Sequence, residues 1–328
     1  MQFDVWRHRT SREKWGVMST RSSRVDEVRA TLQREGGMTS SNLGVRGRFL
    51  YGETPPSGAL SCKRMTPLTA SEIDQVVDII AAGRLLRRAV DLPEAIRTRD
   101  WSSVEKVILG LDERLGREGA GWKVGAASDE IRRAEGLPSP SPGRFYRDTI
   151  FANGVALGPE FFINFRNVEC EFAFQLGRDF AVRDEPYSQS EVADGIESLF
   201  PALEIGDTVF LDWYGASGYY GSCLDNGGGA AFIEGTKISE WRSIDLIHAG
   251  MDLYLNEFYI KSGRGSAAMG HPVTSLTWMI NWARSHDRSV AAGEVVSTGT
   301  CTGHCFAAPG DVVSADFGAL GFVQVEFQ

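Results

Sequence analysis

The chain has 328 residues, of which 42% are hydrophobic and 10% aromatic, enough for one large folded domain or two small ones. The net charge is −9 and there is no basic stripe, which argues against nucleic acid as a partner. The apolar stretches fall short of the roughly 20 residues that span a bilayer, so we expect no membrane helix. The five cysteines are scattered, which indicates free thiols and a cytoplasmic protein.

Residues 1–64 differ in composition from the rest of the chain. They carry 12 Lys and Arg against 6 Asp and Glu, whereas the remainder carries 22 against 37. Weak periodicity and clusters of glycine and proline predict a basic, disordered leader. Internal methionines could each start translation, so we expect the working protein to begin near Met65.

Residues 65–120 have the pattern of a small helical N-terminal part. Thr69 and Glu72 form a capping box, and apolar residues follow at helical spacing. A second apolar stripe predicts a helix over residues 102–115. From 121 to 328, short segments rich in Val, Phe and Ile, separated by turn residues, predict a β-rich catalytic body.

Two more helices and three closing strands are predicted within this body. Ser188 and Glu191 form a capping box, which predicts a helix that carries Ile196 and Leu199 and stops near Pro201. A proline at position 272 predicts a helix start. Strands are expected over 294–297, 311–317 and 321–327.

Two glutamates with one residue between them, Glu169 and Glu171, open an apolar run that reads as a strand. Because side chains alternate along a strand, both acids share one face and the apolar residues share the other, which we expect to face inward. Two neighbouring carboxylates repel each other, so a mostly buried strand needs a cation or a shared proton between them. The alternative is an edge strand whose acidic face meets water.

A third carboxylate, Glu204, interrupts the apolar run 201–205. If this run is a strand beside the first one, with the intervening helix as the crossover, Glu204 points at the same spot. Three carboxylates and water molecules suit octahedral Mg²⁺ or Mn²⁺.

Two other residues are candidates for proton transfer. Lys123 lies in a short apolar segment between glycines, where a half-buried amine can hold an oxyanion or move a proton. The alternative is a surface lysine whose stem alone is buried. Asp148 is either a base or the ion-pair partner of the adjacent Arg147.

Other motifs favour no different chemistry. Cys301 and Cys305 flank His304, but a zinc site would need a second pair of ligands. The remaining histidines have no spacing that indicates catalysis, and no nucleophile elbow or phosphate-binding glycine loop is present. Residues 298–300 either accept a carboxylate through hydroxyls and amides or form an ordinary turn.

Seven motifs occur together in one order and carry a family resemblance. They are Gly121-Trp122-Lys123-Val124-Gly125, Val168-Glu169-Cys170-Glu171-Phe172, Pro201-Ala202-Leu203-Glu204-Ile205, Asp225-Asn226, Gly270-His271-Pro272, Thr298-Gly299-Thr300 and Ala315-Asp316-Phe317-Gly318-Ala319-Leu320-Gly321. From about Met65 to the C-terminus, the chain resembles the 2-keto-4-pentenoate hydratase and 4-oxalocrotonate decarboxylase group of the fumarylacetoacetate hydrolase superfamily.

The resemblance implies an α+β fold, a mixed β-roll or sandwich body with peripheral helices and a small helical N-terminal part. It also implies Mg²⁺ or Mn²⁺ on Glu169, Glu171 and Glu204, with Lys123 beside the substrate. Asn226 and Thr300 would orient the acid, and a homo-oligomer is expected by analogy with the family.

The implied reaction is that of a lyase on a small 2-oxo acid. The acid binds the metal through its carboxylate and 2-oxo oxygens, the cation stabilises the enolate, and proton transfers assisted by Lys123 and Asp148 let water add to the distal alkene. The alternatives are decarboxylation of an oxalocrotonate-like acid, carbon–carbon hydrolysis of a diketo acid, and a family member without turnover. Hydrolysis would require a histidine base near the metal, which the sequence does not place.

Three features depart from the family pattern. Glycines at 227–229 stand where serines are usual, and Val209 lies near the place of an expected arginine. The stretch 212–220 is insertion-like and rich in Trp and Tyr. We therefore expect a bulkier or less charged substrate, with a larger apolar pocket.

Overall fold

The computed structural model describes residues 65–211 and 218–328. The predicted leader at 1–64 lies outside the described residues, as do Trp213 and Tyr214 of the aromatic stretch. The described part is α+β, with two mixed sheets and peripheral helices, which confirms the predicted fold class.

The two predicted N-terminal helices are present with their predicted starts. Thr69 caps the first helix: its hydroxyl accepts from the Glu72 amide, and the Glu72 carboxylate accepts from the Thr69 amide at 2.8 Å. Asp100 caps the second: its carboxylate accepts from the Ser103 amide at 2.8 Å. In chain order the helices are α1 (Ala70–Leu86), α2 (Trp101–Leu115), α3 (Asp129–Glu135), α4 (Gln189–Asp194), α5 (Tyr219–Leu224) and α6 (Pro272–Ser285).

The strands form a large sheet and a smaller one. The strands are β1 (Gly119–Gly125), β2 (Ser141–Tyr146), β3 (Ile150–Ala152), β4 (Val155–Leu157), β5 (Arg166–Leu176), β6 (Ile196–Gly206), β7 (Gly229–Glu234), β8 (Gly250–Leu255), β9 (Phe258–Arg264), β10 (Val295–Ser297), β11 (Cys305–Ala307), β12 (Val312–Asp316) and β13 (Phe322–Phe327). The large sheet runs β2, β1, β10, β5, β6, β7, β3, with β11 also paired to β5, and the small sheet runs β4, β13, β12, β8, β9.

The main core contains buried side chains from both sheets and from α6. Phe172 and Leu203 of the large sheet belong to the same apolar cluster as Leu253 and Val325 of the small sheet. A second cluster joins α1 and α2 to the segment that follows β6 and to α5. The helical N-terminal part is therefore attached beside the residues that follow Glu204.

The predicted helix from Ser188 to Pro201 is wrong in its second half. Its capping box is present, but α4 ends at Asp194, and Ile196 begins β6. Pro201 lies inside that strand, where its carbonyl accepts a hydrogen bond from the Gly235 amide just past the end of β7. An N–H at position 201 would face the chain beyond the end of β7. The donor that Pro201 lacks therefore removes no hydrogen bond between β6 and β7.

The alternative of an acidic edge strand is also wrong. β5 lies between β10 and β6, and Glu171 on its polar face is fully buried. The opposite face carries the predicted apolar residues into the main core. No helix of the described residues is long and apolar enough to cross a bilayer.

Candidate active site

The three predicted glutamates lie on one face of two adjacent strands. β5 and β6 are antiparallel, not joined by a parallel crossover, and Glu169 stands directly opposite Glu204. Glu171 lies two residues further along β5, on the same face. The strand register therefore brings together acids that are up to 35 residues apart in the chain.

Glu171 is the most buried of the three carboxylates. Its Oε2 accepts from the Gly299 amide at 3.0 Å and from the Ser297 hydroxyl, whereas its Oε1 is buried without a hydrogen-bond partner. Burial, together with the charges of Glu204 and Glu169, raises the pKa of Glu171 well above its usual range. The charge on this side chain therefore lacks the compensation that a buried carboxylate requires.

Lys123 lies in β1 and is 3% exposed. Its ammonium pairs with Glu204 Oε1 and donates to the Gly227 carbonyl at 2.8 Å. Burial raises the pKa of Glu204, and Lys123 partly offsets this effect. The alternative of a surface lysine is wrong, because the whole side chain of Lys123 is enclosed.

Two glycines leave the space that the Lys123 side chain occupies. A Cβ on Gly143, the β2 partner of Lys123, would lie 2.7 Å from the Lys123 Cε, and a Cβ on Gly227 would lie 2.9 Å from the same atom. Gly227 also has a φ of 62°, which disfavours any larger residue. The Lys123 side chain fills the space beside Gly227, and the bulkier or less charged substrate expected from this departure stays a prediction.

His304 is a site residue that the sequence did not indicate. Its Nδ1 lies 2.7 Å from Glu169 Oε1, and Asn167 Nδ2 donates to the same oxygen at 3.0 Å. Burial opposes ionisation of Glu169, but the charge and hydrogen bond of His304 outweigh it and lower the pKa of Glu169. The only sequence signal was its position four residues after Thr300, which has no regular spacing to the acids.

The donor set suits a divalent ion, although the side chains do not already form a metal cage. Among the residues that the structure describes, no three acidic, histidine or cysteine side chains are grouped around one point. Instead Lys123 pairs with Glu204 and His304 pairs with Glu169. The unpartnered Glu171 Oε1 and the raised pKa of Glu171 favour a cation, which would compete with those two pairs.

Asn226 binds the main chain of Arg144 through its side-chain amide, and its predicted role toward the substrate stays a prediction. Its Oδ1 accepts from the Arg144 amide at 2.6 Å and its Nδ2 donates to the Arg144 carbonyl at 2.9 Å. Both ends of its side-chain amide thus bind the β2 main chain. Asn226 therefore holds the loop that presents the Gly227 carbonyl to Lys123.

A buried ion pair anchors the same loop. Arg84 of α1 contacts both carboxylate oxygens of Asp225 at 2.8 and 2.7 Å, and donates to the Gly229 carbonyl at 3.0 Å. Asp225 also accepts from the Val209 amide at 2.8 Å. Arg84 of α1 therefore supplies a positive charge close to Val209, near the place where the family pattern has an arginine. The Val209 side chain itself is buried against Gly83.

The last two predicted site residues, Thr300 and Asp148, lie in different places relative to the buried glutamates. Thr300 lies one residue after the Gly299 amide that binds Glu171, and its hydroxyl accepts from the Gly303 amide at 2.8 Å. Asp148 is 68% exposed and pairs with Arg117, not with the adjacent Arg147. Asp148 does not join the buried cluster, so geometry does not support the catalytic role predicted for it.

Tyr219 of the aromatic stretch contacts the residue that follows β1. Its hydroxyl accepts from the Ala126 amide at 3.1 Å. Burial raises the pKa of Tyr219 well above its usual range, with smaller contributions from Cys223 and from Glu169. Tyr219 is therefore fixed at the end of β1, the strand that carries Lys123.

Comparison with known proteins yields hydratases and a decarboxylase. The chain is 25% identical over 265 residues to 2-keto-4-pentenoate hydratase of Paraburkholderia xenovorans, which covers 80% of this chain and 97% of that protein. It is 24% identical over 243 residues to 2-oxo-hept-4-ene-1,7-dioate hydratase of Escherichia coli, covering 73% and 90%.

A solved structure has the same fold. It is 4-oxalocrotonate decarboxylase from Pseudomonas putida G7 complexed with magnesium and adipate, with a TM-score of 0.72, 20% identity, and coverage of 80% of this chain and 99% of that one. The family model described as fumarylacetoacetate (FAA) hydrolase C-terminal matches residues 159–328, which include β5, β6 and the loop that carries His304. The chain therefore belongs to the fumarylacetoacetate hydrolase family.

Proposed function

We propose that the chain is a divalent-metal-dependent lyase that adds water to an unsaturated 2-oxo acid. The observation that carries this proposal is that Glu169, Glu171 and Glu204 share one face of β5 and β6. The buried ammonium of Lys123, a residue of β1, pairs with Glu204 on that face. Relatives that match most of this chain are named as hydratases of such acids, which supports the same reaction class.

The three glutamates would hold the ion. Carboxylate oxygens are the ligands that Mg²⁺ and Mn²⁺ prefer, and Glu171 Oε1 has no other partner. A bound ion would supply a Lewis acid that polarises the 2-oxo group and stabilises the negative charge that develops on it. Ser297 and the Gly299 amide fix the orientation of Glu171, so this carboxylate is already positioned before any substrate binds.

Lys123 would transfer a proton through its Nζ. A lysine has three N–H donors, and two of them are used by Glu204 and the Gly227 carbonyl. The third can donate to a substrate oxygen or exchange a proton with the substrate's carbon chain. The hydroxyl of Thr300 accepts from the Gly303 amide, so its hydrogen would be left to donate to the substrate carboxylate.

Addition of water to the distal alkene is followed most directly with 2-hydroxypenta-2,4-dienoate. Hydration removes the conjugated diene, so its ultraviolet absorbance should fall when the metal-depleted full-length protein receives Mg²⁺ or Mn²⁺. The same protein without metal, and the Glu171→Gln variant with metal, should leave the absorbance unchanged. Failure of calorimetry to detect binding of either ion would overturn the proposal.

A specific observation favours a second candidate, hydrolysis of a carbon–carbon bond in a diketo acid. This reaction requires a histidine base beside the metal, and His304 lies against Glu169. The two activities are separated by their products: an acylpyruvate would give pyruvate and a second acid under hydrolysis, and no change under a pure hydratase. Release of carbon dioxide from an oxalocrotonate-like acid would identify the decarboxylase alternative.

A further inference from the structure

The loop between β10 and β11 places a histidine at the carboxylate cluster. The loop follows β5 through main-chain hydrogen bonds: the Thr298 amide binds the Phe172 carbonyl at 3.1 Å, and the Cys301 amide binds the Cys170 carbonyl at 2.8 Å. These contacts continue the strand pairing toward Glu169. His304 is therefore fixed next to Glu169 by the backbone and not only by its own ring.

The ring of His304 is held on the accessible side of the cluster. Its Nδ1 is 2.7 Å from Glu169 Oε1 and 2.8 Å from Asn167 Nδ2, and its carbonyl accepts from Lys261 Nζ at 2.7 Å. The His304 side chain is 34% exposed, whereas that of Glu169 is 15% exposed. An ion that enters toward Glu169 would therefore meet the imidazole as well.

The spacing of the two atoms suits neighbouring ligands of a single ion. Two adjacent ligand atoms of an octahedral ion, each about 2.1 Å from the metal, lie about 3 Å apart. The Nδ1 of His304 and the Oε1 of Glu169 are close to that separation without any movement of the backbone.

We propose that His304 contributes an imidazole nitrogen to the metal centre, which becomes a mixed site of carboxylates and one nitrogen. Carboxylates alone favour Mg²⁺, whereas imidazole favours first-row transition ions, so the centre would select ions such as Co²⁺ over Mg²⁺. This inference rests on the proposed function, because it presupposes the carboxylate site. A histidine that binds the ion cannot also act as the free base that hydrolysis needs, so it favours the lyase over the hydrolase.

The test compares Co²⁺ and Mg²⁺ binding to the metal-depleted full-length protein by calorimetry. In His304→Ala the ratio of Co²⁺ to Mg²⁺ affinity should fall about tenfold or more. His304→Gln keeps a hydrogen-bonding side chain but no imidazole, and it should lose the same selectivity. His248→Gln is the matched control, since His248 forms an exposed pair with Asp245 and should bind both ions as the unchanged protein does.

Several outcomes would overturn the inference while leaving the proposed function intact. Equal loss of Co²⁺ and Mg²⁺ affinity in His304→Ala, or recovery of Co²⁺ affinity in His304→Gln, would mean that His304 only orients Glu169. Unchanged affinities would mean that it has no part in binding. If the unchanged protein bound neither ion, the proposed function itself would fail.

A second measurement avoids dependence on the folding of any variant. Pulsed electron paramagnetic resonance of the unchanged protein loaded with Mn²⁺ should show coupling to a directly bound nitrogen nucleus. A spectrum with oxygen ligands alone would overturn the inference whatever the variants do.

Discussion

Glu169 of β5 stands directly opposite Glu204 of β6, and the first pairs with His304 while the second pairs with Lys123. Each carboxylate thus has its own positive or hydrogen-bonding partner from a different part of the chain. Glu171 is the member of the trio with a fully buried oxygen, Oε1, that has no hydrogen-bond partner. This asymmetry determines how each side chain should respond to substitution.

Glu171→Gln should lower metal affinity and raise stability together. A glutamine oxygen can still accept from Ser297 and the Gly299 amide, while its NH₂ group would take the place of the unpartnered oxygen near two acids. We expect divalent-ion binding to be lost in calorimetry and the metal-free protein to gain roughly 1 kcal/mol in denaturant unfolding. Glu326→Gln, at an exposed site on β13, is the control. Unchanged metal affinity would contradict the ligand assignment.

Lys123→Met should separate binding from turnover. Methionine fills much of the same space but carries no charge to compete with an ion for Glu204. We therefore expect Mg²⁺ affinity at least equal to that of the unchanged protein, with turnover reduced by a factor of about 100 or more in the absorbance assay. The exposed Lys106→Met variant should change neither quantity. A Lys123→Met protein that turns over normally would exclude Lys123 from proton transfer.

Gly143→Ala should act on the same lysine without touching the metal ligands. The added Cβ would lie 2.7 Å from the Lys123 side chain and 2.8 Å from the Asn226 carbonyl, so one of them must shift. We expect a loss of about 1 to 3 kcal/mol in stability and a fall in kcat with Mg²⁺ affinity retained. Gly250→Ala meets only an ordinary contact of 3.7 Å and serves as the control. Full activity of Gly143→Ala would show that Lys123 needs no such space.

Arg84→Met should destabilise the protein strongly. Asp225 is fully buried, and Arg84 provides its two shortest ion-pair contacts, so the variant leaves a buried carboxylate without its cation. Breaking a buried pair in this way costs about 3 to 5 kcal/mol, which unfolding in urea would measure. The double variant Arg84→Met with Asp225→Asn should recover part of that loss. If Arg84→Met alone cost less than 1 kcal/mol, the pair would not be a structural anchor.

His286 should make stability depend on pH where α6 meets α2. Its ring stacks on Trp282 with 4.2 Å between centroids, and its pairing with Glu105, at 3.7 Å between Nε2 and Oε2, raises the pKa of His286 despite partial burial. Because the pKa is higher in the folded state, the stabilisation is complete below the unfolded value of about 6.5 and is lost as the pH rises through the folded value.

The comparison of unfolding at pH 5.5 and 8.5 tests this directly, since Glu105, whose pKa is lowered, stays ionised at both values. We expect the unchanged protein to exceed His286→Gln in stability at pH 5.5 by more than at pH 8.5. The His248→Gln variant, whose pair with Asp245 is exposed and screened by solvent, is the control. A gap that widened toward pH 8.5 would contradict the sign of the pKa shift.

Features that depend on near neighbours could be predicted from the sequence. The capping boxes at Thr69 and Ser188 involve residues three apart, and both form as expected. The alternation around Glu169 and Glu171 is likewise local, and it placed the acids and the apolar residues on the correct faces. The family motifs also led to Glu204 and Lys123, which the fold brings into one cluster.

Other features depend on contacts between distant parts of the chain, and only the tertiary structure decided them. Ile196 and Pro201 follow a helix start, but pairing with β5 makes them a strand, because burial between two neighbours outweighs local preference. His304 had no spacing that linked it to Glu169, since the loop that carries it is placed by main-chain bonds to β5. Asp148 and Asn226 had suitable chemistry, but one points to solvent and the other holds the backbone of Arg144, and neither fact can be inferred from local sequence.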